Sequence, residues 1–154
     1  MSTNAYCRCW IHFVWGTLDG QALLDEIARA KVSVYLTEYA ASRSIPVRAT
    51  YVGSDHAHAV VDLPTNQTIE DVVRLLKGSS SHWINENRLT ADTFAWAKGY
   101  QAFSVSHTII TNVAGYLANQ PELHKTKSFQ DEMKEFAAHH EMMYPKQVPR
   151  KGNR

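Results

Sequence analysis

Residues 47–63, VRATYVGSDHAHAVVDL, constrain the fold more than any other stretch: two alternating runs are separated by Gly-Ser-Asp. Alternation with a period of two is the pattern of a strand, whose successive side chains point to opposite faces. VRATYV (47–52) and HAHAVVDL (56–63) therefore read as two strands, and GSD as the turn between them. On the second strand the pattern sends Ala57, Ala59, Val61 and Leu63 toward covering helices. His56, His58, Val60 and Asp62 go to the opposite face.

The remaining elements extend this pair. WIHFVWG (10–16) is rich in aromatic and β-branched residues and predicts a first strand. A helix is expected from about Gln21 to Arg43, with Leu23, Ile27, Ala30 and Val34 as its apolar stripe. Pro46 ends it. Thr68 to Asp71, TIED, is a capping-box pattern opening a second helix that buries Ile69, Val72, Val73 and Leu76. AFSVS (102–106) predicts another strand, and helices are expected near 109–119 and 128–141. The order strand, helix, strand, strand, helix, strand is ferredoxin-like or RRM-like. The expected class is α+β: an antiparallel sheet with both crossover helices on one face, the other left open for a site, and extra C-terminal helices. We expect a single domain over residues 1–154, with its core at about 10–141 and a polar, mobile tail at 142–154.

Charge and cysteine content narrow the class. A net charge of +1, from 16 basic and 15 acidic residues, excludes nucleic-acid binding by bulk electrostatics but leaves room for a local patch. Two cysteines, Cys7 and Cys9, suit a reducing compartment and give no disulfide framework; a zinc site would need two more ligands. No apolar run approaches the roughly 20 residues of a membrane span. The expectation is a cytoplasmic protein without a membrane partner.

Two pairs of residues suggest chemistry. His56 and His58 share a strand face, so a divalent ion fits between their rings; with eight histidines in the chain, a chance pair on a half-exposed strand is the plainer alternative. Tyr116 and Gln120 stand one helical turn apart in VAGYLANQ. A phenol can attack phosphorus, and an amide oxygen can complete a metal shell. The alternative is an amphipathic tyrosine that packs its ring and wets its hydroxyl.

Five segments together carry a resemblance: IHFVWGT, DHAHAVVDLP, LLKGSSSHWINE, FAWAKGYQAFSVS and YLANQPELHKTKSFQDEM. In this order the chain resembles the HUH single-tyrosine transposases, the insertion-sequence-200-like family that includes the REP-associated tyrosine transposases, over about residues 10–140. The resemblance implies an enzyme that nicks and rejoins single-stranded DNA through a 5′-phosphotyrosine. It implies Tyr116 as nucleophile, and His56, His58 and Gln120 as ligands of Mg2+ or Mn2+. It also implies a partner in single-stranded or hairpin DNA, and a homodimer whose tyrosine helix faces the histidines of its own chain or of the other copy.

The chain departs from the family pattern in places. Ala57 stands between the histidines where a bulky apolar residue is usual, and SSSHW follows LKG with only His82 in a basic role. Few cations mean a weak, salt-sensitive hold on phosphates. The candidate DNA contacts are Arg8, Arg48, Arg74, Lys77, Lys98, Lys125 and Lys127, each of which reads alone as a solvated surface charge. Two competing readings are a domesticated relative that binds single strands or hairpins without cutting, and a small metal-binding or ligand-sensing domain.

Overall fold

In the computed structural model, residues 5–143 are described, with side chains through residue 138. Of the tail expected at 142–154, residues 144–154 lie outside the described residues, as do the His139–His140 side chains. The elements are β1 (Trp10–Gly16), α1 (Glu26–Ser42), β2 (Val47–Val52), β3 (His56–Asp62), α2 (Ile69–Glu86), β4 (Gln101–Val105), α3 (Ile110–Ala118), α4 (Gln120–Leu123) and α5 (Phe129–Met143). By contacts the chain forms two compact units, residues 1–121 and 122–154.

The first unit holds a four-stranded antiparallel sheet in the order β2-β3-β1-β4. This is the α+β, ferredoxin-like arrangement expected from the sequence. β1 and β3 are central, and their register sets Val14 opposite His58, His12 opposite Val60 and Gly16 opposite His56. Ile11, Phe13, Trp15, Ala57, Ala59 and Val61 face α1 and α2 in the main core. α2 opens with the expected capping box: the Thr68 hydroxyl accepts from the Asp71 N–H at 3.0 Å, and the Asp71 carboxylate accepts from the Thr68 N–H at 3.2 Å. These bonds, the Thr68 backbone donor first, hold the Asp71 carboxyl below its usual pKa.

Two expectations fail. α1 starts at Glu26 with Asp25 as its cap, and it buries Ala28, Val32, Leu36 and Ala40 rather than the expected stripe. Ile27 and Val34 are exposed. The helix carries apolar residues on two stripes, and the main core takes the one with Ala28, Val32, Leu36 and Ala40.

The second sheet face is not open either. α3 lies on it, burying Ile110 and Leu117 against Val60, with Val113 and Tyr116 partly buried beside them. β3 is consequently buried along all seven residues. α3 matches the helix expected near 109–119 and carries Tyr116, and nothing lies within 4 Å of where a Cβ on Gly115 would sit.

In the second unit, Ser128 caps the start of α5 by accepting from the Asp131 N–H at 3.2 Å. His124 Nδ1 contacts the Lys127 carbonyl at 2.8 Å.

Candidate metal and tyrosine site

The face of the sheet turned toward α3 gathers three histidines. Antiparallel pairing with alternation puts His12 from β1 and His56 and His58 from β3 on the same side. All three are buried, with His58 at 0% and His56 at 2% exposure. This corrects the expectation of solvent-facing imidazoles: Tyr51, Tyr116 and Gln120 stand against the rings on that face.

Each ring of the β3 pair is oriented by a neighbour. His56 Nδ1 lies 2.7 Å from an Asp55 carboxylate oxygen. A carboxylate only accepts, so a ring proton belongs on Nδ1, and Nε2 points away from Asp55. His56 Nε2 lies 3.2 Å from Gln120 Oε1. His58 Nδ1 lies 2.9 Å from His12 Nε2. The His56 and His58 ring centroids are 5.1 Å apart and nearly perpendicular, at 80°. Tyr116, half-buried on α3, sets its ring 6.1 Å from that of His58 and 6.4 Å from that of His12. Tyr51 closes the β2 side, 5.8 Å from His56 and 6.2 Å from His58.

Gly53 makes room for this arrangement. A Cβ there would stand 2.9 Å from His56 Cε1 and 3.0 Å from Nδ1.

The donor set fits a hard-to-borderline divalent ion. His56 Nε2 and Gln120 Oε1 stand 3.2 Å apart, a contact that a proton on Nε2 satisfies in the metal-free site and a shared cation satisfies once that proton is gone. A cation between them satisfies both. Two adjacent ligands of an octahedral ion with bonds of about 2.1 Å stand about 3 Å apart, close to this separation. Two imidazoles and an amide oxygen make a mixed nitrogen and oxygen set, of the kind that divalent ions rather than thiolate-seeking metals take.

Thus His56, His58, Gln120 and Tyr116 are brought together within the first unit. The candidate DNA contacts are dispersed. Arg8 sits 3.4 Å from Asp62 and over the Tyr6 ring, and Arg48 is exposed at the irregular start of β2. Arg74 pairs with Glu70, Lys125 with Glu122, and Lys127 with Glu135. Lys98 is exposed. Lys77 donates to the carbonyls of Ala97 (2.8 Å) and Gly99 (2.6 Å), and burial lowers its pKa from the usual lysine value. Cys7 and Cys9 are free and exposed.

Sequence reasoning missed His12, Asp55, Tyr51 and Gly53. The signal for His12 was present in WIHFVWG, where Ile11, Phe13 and Trp15 alternate with His12 and Val14. Asp55 adjoins the histidine strand, and Gly53 opens its turn.

Fold and site together define an α+β protein with a histidine pair, a glutamine and a tyrosine converging on one face of an antiparallel sheet. The chain belongs to the family described as "Transposase IS200 like", whose pattern it matches over residues 5–120. Among solved structures it is similar to a protein of Deinococcus radiodurans R1 described as a candidate transposase. That similarity is at 19% identity and a TM-score of 0.61, covering 78% of this chain and 96% of that one. It is also similar to a REP-associated tyrosine transposase bound to a REP hairpin, at 14% identity and a TM-score of 0.59, covering 80% of this chain and 74% of that one. These likenesses are of fold. No curated protein matches the chain. Among the described residues, no helix is long and apolar enough to cross a membrane.

Proposed function

We propose that this transposase cuts and rejoins single-stranded DNA through a 5′-phosphotyrosine on Tyr116, with Mg2+ or Mn2+ held by His56, His58 and Gln120. What supports the reading is one observation: those four side chains, from β3, α3 and α4, meet on one sheet face of a single chain. The REP-associated neighbour is bound to a hairpin. By analogy of fold we take a hairpin or its single-stranded flank as the substrate class here.

In this reading Tyr116 Oη attacks the scissile phosphorus. A Tyr–O–P bond forms, the bond from phosphorus to the 3′ oxygen breaks, and the phenolic proton leaves to solvent while the 3′ oxygen takes one up. The reverse attack by a 3′-hydroxyl on the phosphotyrosine reseals the strand and restores the phenol, so the bond energy is kept and no nucleotide cofactor is consumed. A divalent ion at the histidines would supply charge neutralisation of the phosphate oxygens as negative charge builds there. Asp55 holds His56 with its Nε2 inward. Tyr51 and Tyr116 flank the imidazoles and exclude water from them.

The test is incubation with labelled single-stranded DNA carrying a hairpin, in Mn2+. A covalent protein–DNA adduct is expected on a denaturing gel, lost in Tyr116→Phe with DNA binding retained. Binding with no adduct under any divalent ion would leave a non-cutting binder; an adduct that survives Tyr116→Phe would remove the proposed nucleophile.

A further inference from the structure

We propose that His12 is a positioning residue that fixes the tautomer of His58, and so decides whether His58 can act as a ligand. The inference rests on the reading of His56, His58 and Gln120 as cation ligands, and it adds a member to that site from a separate strand.

His12 Nε2 and His58 Nδ1 are 2.9 Å apart, both rings are buried, and they lie 5.1 Å apart at 25°. One hydrogen bond between two ring nitrogens holds one proton. If that proton is on His58 Nδ1, the His58 Nε2 lone pair is available to a cation, and His12 must accept through Nε2. If it is on His12 Nε2, a neutral His58 carries its own proton on Nε2 and cannot ligate. The two states are mirror images in the contact but opposite in function.

The partner ligand differs. His56 Nδ1 faces the Asp55 carboxylate at 2.7 Å, and a carboxylate can only accept. His56 thus faces a carboxylate, whereas His58 Nδ1 faces a ring nitrogen that can donate or accept. Outer partners of ligating histidines orient the ring and set its proton in this way. The register makes His12 available: it stands opposite Val60 on β1, so its ring reaches His58 diagonally across the two central strands.

Two variants separate positioning from packing. His12→Leu fills similar space with no acceptor, and His12→Gln restores an acceptor oxygen near the place of Nε2. Thermal unfolding checks that both fold. Mn2+ affinity, measured by electron paramagnetic resonance, is expected to fall about 10- to 100-fold in His12→Leu and to recover in His12→Gln. Long-range 1H–15N spectra of the metal-free wild type are expected to show the His58 proton on Nδ1. Mn2+ binding by His12→Leu at wild-type affinity, with His58→Ala unable to bind, would overturn the role of His12 alone. A wild-type protein that holds no Mn2+ would overturn the ligand set and this role with it. Should His12→Leu fail to fold, the wild-type spectrum decides: a His58 proton on Nε2 overturns the proposal.

Discussion

Gly53 shows how narrowly the site is built. Its absent side chain leaves the space that the His56 ring fills: a Cβ would come within 2.9 Å of His56 Cε1 and 3.3 Å of Tyr51 Cε1. The ring cannot retreat cheaply, because Asp55 lies 2.7 Å from its Nδ1 and Gln120 stands 3.2 Å from its Nε2. Gly53→Ala should therefore tilt the imidazole, at a cost of about 1–3 kcal/mol from overpacking. Thermal denaturation would show a lower midpoint, and a Mn2+ titration a weaker site; a variant unchanged in both would mean the ring has slack that these distances deny. At this scale the sequence revealed only part of the site. His56 and His58 were visible because alternation within one strand is local. His12 was not, because its nearness to His58 depends on how β1 registers against β3, a pairing between residues 46 apart in the chain.

At the scale of elements, strand and helix order followed from periodicity, and the Thr68 capping box stands where its four letters placed it. The face of α1 did not follow. Leu23, Ile27, Ala30 and Val34 have the right spacing, yet Ile27 is 69% exposed while Leu36 is 1% exposed. Spacing identifies stripes, and only tertiary packing chooses between two of them. The consequence is measurable. Leu36→Ala should cost about 2–5 kcal/mol by leaving a cavity in the main core, whereas Ile27→Ser should stay within about 0.5 kcal/mol of wild type. Urea unfolding of the two variants checks this, and equal losses would return the helix to its other face. The α3 cover was illegible for a related reason. A helix pattern tells which of its own sides is apolar, through Ile110, Val113 and Leu117, but not which face of a distant sheet it will meet.

At the scale of the whole molecule, the question is how many chains one site needs. His56, His58, Tyr116 and Gln120 all belong to residues 1–121, and the Tyr116 ring stands 6.1 Å from that of His58 in the same chain. A pair of copies would then carry two complete sites, each independent of the other's tyrosine. If instead the tyrosine helix served the neighbouring copy, a mixture of Tyr116→Phe and His58→Ala would regain activity. Half of the randomly formed dimers would hold one intact site, giving about a quarter of the wild-type adduct. Assembly within one chain gives none, because every Tyr116→Phe chain has histidines with no phenol and every His58→Ala chain has a phenol beside a damaged ligand set. We expect the mixture to form no more adduct than the two variants assayed apart, in a preparation where both fold and where exchange between copies is allowed before DNA is added. Adduct approaching a quarter of wild type would move Tyr116 across an interface and leave the single-chain geometry as a resting arrangement.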